Sequence, residues 1–229
     1  MREYIKRSTK KAHKEKREFN LWNKIPVYIV EQFVEEIDLG QALEIIEKSI
    51  PEHLFDNVDA IYVGNFKAFE IKKTNAAYED GAIYVTNNQV NEKDLIDDII
   101  HESSHAVEET FNQEIYEDGT IEQEFLGKRK RLFYILQEEG IRVNIEDIMN
   151  IEYSSSFDRF LYEEVGYPLL TSLAMGLFIS PYGITSLKEY FANAYEHYFL
   201  GEQKYVRTIS PQVFKTIEKL VNYKYDYRR

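Results

Sequence analysis

Apolar residues recur along this chain at two different spacings. From Leu39, the positions Ala42, Leu43, Ile46 and Ile50 fall one helical turn apart, and Pro51 stops the pattern. Short runs rich in β-branched and aromatic residues follow, at Asp59 to Val63, Lys67 to Lys72 and Ala82 to Thr86. They are bounded by Gly64-Asn65, by polar Tyr78 to Gly81 and by Asn87-Asn88, and they predict three strands of a small sheet. An earlier apolar run, Trp22 to Val30, could pair as a strand, although Pro26 restricts it to an edge or a turn.

Helical spacing then dominates. Asn91 is placed to cap a helix that runs to about Asn112, with Asp94 near its positive end. Steps of about 100° gather Leu95, Ile96, Ile99, Ile100, Ala106, Val107 and Phe111 into one arc. His101 and His105 fall on the other side, near Asp97, Asp98, Glu108 and Asn112. Gly119-Thr120 with Gln123 resembles a capping box opening a charged helix to Glu139, closed by Gly140, whose basic patch Lys128 to Arg131 reads as a solvated face. A short helix is expected over Phe157 to Glu164, a turn at Ser180-Pro181-Tyr182-Gly183, and a strongly periodic helix over Leu187 to Leu200. A last helix has Ser210 as its cap and Pro211 at its first position.

Composition narrows the chemistry. The 229 residues are 44% hydrophobic and include no cysteine, so one core is expected, and histidine and carboxylate are left as the strong metal ligands. A net charge of −12 argues against nucleic-acid binding by the folded body. Positive charge crowds the start, through Arg2, Lys6, Arg7, Lys10, Lys11, Lys14, Lys16 and Arg17, which sets off residues 1–20 as a basic leader before a single domain at 21–229. No secretory signal follows this leader, so a cytoplasmic location, or export independent of such a signal, is expected. The run Leu169 to Ile179 is too short to span a membrane.

The sharpest motif is His101-Glu102-Ser103-Ser104-His105. Residues i and i+4 of a helix project side by side, so the two histidines can hold one zinc ion while Glu102 stands beside it as a base. Catalytic zinc generally takes a third protein ligand. His13 lies in the leader, His53 beside a proline and His197 on a helix flank, so a carboxylate is the better candidate. On the Leu187 helix, Leu187, Tyr190, Phe191, Ala194, Tyr195 and Tyr198 form the apolar arc, while Glu189, Asn193 and Glu196 share the opposite face. Ser186 with Glu189 also fits a capping box, a purely structural role for that glutamate.

Two stretches together resemble one family. Ser180-Pro181-Tyr182-Gly183, followed by Glu189-Tyr190-Phe191-Ala192-Asn193-Ala194-Tyr195, resembles the catalytic domain of anthrax lethal factor and the related Pro-Pro endopeptidases. His101 to His105 with Ala106-Val107-Glu108-Glu109 is similar to that family's zinc helix. The resemblance covers roughly residues 50 to 225 and is concentrated at these two places. It implies an α+β zincin-like fold, with a small sheet beside the zinc helix and a mainly helical second half. It also implies Zn2+ held by His101, His105 and Glu189, Glu102 as the base, Tyr182 as donor to the reacting oxygen, and a protein or peptide substrate. Asn193 departs from it, standing where the family often has an acid.

A zinc-dependent endopeptidase is therefore expected, with the edge strand Ala82 to Thr86 aligning an extended peptide. The rivals are an intracellular zinc peptidase that cleaves one regulatory protein, and an inert zincin-fold interaction module.

Overall fold

The computed structural model describes residues 18–72 and 74–223. Most of the basic leader, including His13, lies outside them. The fold is mixed, with a five-stranded sheet and many helices. Its contacts divide the chain into two compact units, Met1–Thr110 and Phe111–Arg229. Among the described residues no helix is long and apolar enough to cross a membrane.

The first unit carries the sheet: β1 (Glu18–Leu21), β2 (Ile25–Ile29), β3 (Ala60–Gly64), β4 (Ala76–Glu79) and β5 (Ala82–Thr86). Their order is β1-β2-β3-β5-β4, parallel through the β2, β3 and β5 centre and antiparallel at both ends. Pro26 is tolerated in an inner strand because the β2–β3 register begins only at Val27. Period-two alternation gives the sheet two distinct faces. Val27, Ile61, Val63, Ile83 and Val85 are fully buried on one, the side of helices α1 (Leu39–Ser49) and α3 (Glu92–Thr110). The other carries a ladder of stacked rings, Tyr28 on Tyr62 and Tyr62 on Tyr84, with centroids 5.2 and 5.4 Å apart.

Two strand expectations fail here. Lys67–Lys72 is a helix, α2, because Phe66 and Phe69 are needed on the same side. Their rings meet at 5.1 Å and Phe66 packs on Tyr84, whereas a strand would turn residues three apart to opposite faces. The polar stretch Tyr78 to Gly81, expected only to bound the strands, instead supplies part of β4, and the chain turns at Asp80-Gly81 where φ is positive. That hairpin makes β5 an inner strand and β4 the edge, which corrects the expectation for Ala82 to Thr86.

The described part of the second unit is helical: α4 (Asn112–Tyr116), α5 (Thr120–Glu138), α6 (Ile145–Met149), α7 (Ser155–Arg159), α8 (Tyr167–Leu173), α9 (Leu187–Leu200), α10 (Gln203–Ile209) and α11 (Pro211–Val221). Helix α5 organises it. The expected capping box is replaced by Asp118, whose Oδ1 accepts both the N–H and the hydroxyl of Thr120. The basic patch is solvated only in part: Lys130 and Arg131 are exposed, but Arg129 is fully buried, donating to the carbonyls of Asp147 and Asn150 and lying 4.4 Å from the Phe157 ring centroid. Lys128 donates to Leu177 O and Ile209 O. From the same helix, Glu124 accepts the Tyr190 hydroxyl at 2.7 Å and the N–H of Gln212 at 3.1 Å. It thereby does at α11 the capping expected of the Ser210 side chain.

Candidate metal centre

Helix α3 forms as its sequence predicts, with Asn91 Oδ1 accepting the Asp94 N–H at 3.0 Å. Leu95, Ile96, Ile99, Ile100, Ala106 and Val107 are buried on the predicted arc. His101 and His105 are half-buried, their rings edge to face with centroids 5.6 Å apart. That proximity is what the i, i+4 spacing demands.

The acids around them are placed unequally. Glu108, expected on the outer face, is only 3% exposed, and its Oε2 lies 2.7 Å from His105 Nδ1. Glu102 is buried, and its Oε2 accepts the backbone N–H of Tyr78 at 2.7 Å. Tyr78 is itself anchored, its hydroxyl 2.6 Å from Glu109 Oε2 and 2.9 Å from Asn57 Nδ2. Burial together with the Glu109 carboxylate holds that phenol far above its ordinary range. The base candidate is thus tied to the edge strand. Asp98, one turn before His101, has its carboxyl pushed up to about 6, chiefly by burial, although it accepts from Gln89 Nε2 at 2.8 Å.

In the second unit Glu189 lies in the first turn of α9 and is half-buried, with its N–H donating to Ser186 Oγ at 3.2 Å. The capping half that belongs to Ser186 is therefore present, and it leaves the Glu189 carboxylate's role to be decided separately. Asn193 does not face solvent beside it: it is buried, accepts the Ser180 hydroxyl, and a Cβ on Gly183 would meet its Oδ1 at 3.3 Å. Asn193 thus holds the turn that carries Tyr182, a residue 39% exposed at the start of a 3-10 turn, Tyr182–Ile184.

His101, His105 and Glu189 form a group that could hold a metal ion, their ligand atoms lying within 4.8 Å of one another. Two imidazoles and a carboxylate fit a borderline cation such as zinc, and no thiolate is available. The Glu108 contact was missed in the sequence, though its signal was present: an acid three residues after the second histidine shares that histidine's face of the helix. No local signal marks Tyr78, because its tie to Glu102 depends on how β4 packs against α3.

No family model matches this chain, and comparison with curated proteins and with solved structures finds no match either.

Proposed function

We propose that the protein is a zinc-dependent endopeptidase of zincin type, related to the lethal factor and Pro-Pro endopeptidase family through the two motifs described above. The observation that carries this reading is the His101, His105 and Glu189 group, with Glu102 between its histidines in sequence. When bound, zinc supplies a Lewis acid for a peptide carbonyl and lowers the pKa of a water. Glu102 accepts the proton of the attacking water and delivers it to the departing amine, held in place by the Tyr78 N–H. Tyr182 donates to the carbonyl oxygen as it gains charge. An extended peptide aligns along the outer edge of β4, the strand to which the base is tied.

The test is a cleavage assay with purified protein and a peptide library. Zinc-loaded protein is expected to cut a subset of peptides, to lose this with 1,10-phenanthroline and to regain it with added zinc. Glu102→Ala should keep its zinc and lose about 10²- to 10⁴-fold in kcat. Undiminished cleavage by Glu102→Ala would remove this mechanism, and a zinc-loaded parent that cuts nothing would favour an inert module.

A further inference from the structure

We propose that Glu108 is a positioning residue that fixes which nitrogen His105 offers to a metal. This rests on the metal reading above and adds to it a residue outside the proposed ligand set. A neutral imidazole carries its proton on either nitrogen, and only the unprotonated nitrogen can ligate. A carboxylate only accepts, so the 2.7 Å contact between Glu108 Oε2 and His105 Nδ1 puts the proton on Nδ1 and leaves Nε2 as the ligand atom. The Glu108 side chain is 4% exposed and that of His105 is 20% exposed, so water competes poorly for the bond. Both residues sit on one rigid helix, three positions apart, so the contact does not wait on any other segment.

The bond therefore does two things before any metal arrives. It selects the tautomer, and it sets the ring rotation.

The experiment compares the parent with Glu108→Gln and Glu108→Ala in two readouts. The first is the tautomer of His105 in metal-free protein, from 15N shifts of the ring nitrogens at a pH where the ring is neutral. The parent is expected to hold one tautomer, protonated on Nδ1; Gln, whose side-chain oxygen still accepts, should keep it, and Ala should give a mixture. The second is zinc affinity by chelator competition, expected to fall in the order parent, Gln, Ala, with Ala weaker by about 10- to 100-fold. Circular dichroism and urea unfolding identify a variant that has lost its fold, and the near-isosteric Gln keeps the comparison meaningful if Ala does so. An Nε2-protonated parent, or Ala matching the parent in both tautomer and affinity, would overturn the proposal. If the parent bound no zinc the metal reading would fail, while the tautomer measurement would still decide the role of Glu108.

Discussion

Asn193 shows how a residue's partners change the meaning of its position. By spacing it shares a helix face with Glu189, where an uncharged group invites the idea of a weakened metal site. In the fold its amide is buried against Gly183 and accepts the Ser180 hydroxyl, so its first task is to hold the Tyr182 turn. Replacing it by leucine, similar in volume but unable to accept, is expected to cost about 1–3 kcal/mol by stranding the serine hydroxyl. Urea unfolding measures this, and a loss near zero would remove the anchor role. The candidate residues His101, Glu102 and His105 were legible because helical spacing alone places them, whereas spacing left Glu189 on one face with Asn193 and Glu196, and the family resemblance singled it out. The partners Tyr78 and Asn193 were not legible, because their roles arise from contacts that spacing does not encode.

The same distinction holds for elements. Helices α1, α3 and α9 were legible from long apolar periods and side-chain caps, since amphipathic order over three or more turns is hard to mistake. Short segments were not. Lys67–Lys72 has strand-like residues, but Phe66 and Phe69 had to cover the tyrosine ladder together, and β4 is a four-residue edge strand, too short to show alternation, whose second half lies in a polar stretch. Helix α5 misled most, for Lys128 and Arg129 of its basic run are structural. Burial lowers the Lys128 ammonium to about 8, while nearby Glu124 only partly compensates. Between that value and the ordinary lysine range the unfolded chain binds more protons than the folded one, so stability should rise with pH across this window. From pH 7.5 to 9.5 the rise is expected to be on the order of 1 kcal/mol by urea unfolding, and Lys128→Met should flatten it. Above about pH 10 the phenols of Tyr190 and Tyr198, raised by burial, work the other way, because the folded state then holds protons that the unfolded state releases. An unchanged slope in Lys128→Met would assign the pH dependence elsewhere.

At the scale of the whole molecule, a small sheet with its long helix is followed by a helical second half, as the sequence predicts in outline. The proposed ligands are His101 and His105 of α3 and Glu189 of α9. Glu189 bears the greatest weight, since it has a competing structural explanation in the Ser186 cap. Glutamine serves a capping box as well as glutamate does, but it exchanges an anionic metal ligand for a weaker neutral one. Zinc affinity, measured against a competing chelator for the parent, Glu189→Gln and Glu196→Gln, therefore tests the account most directly. It predicts about one equivalent of zinc in the parent, a clear loss of affinity in Glu189→Gln with metal-free stability unchanged, and parent-like binding in Glu196→Gln. Equal affinity in the parent and Glu189→Gln, or a loss confined to Glu196→Gln, would contradict it.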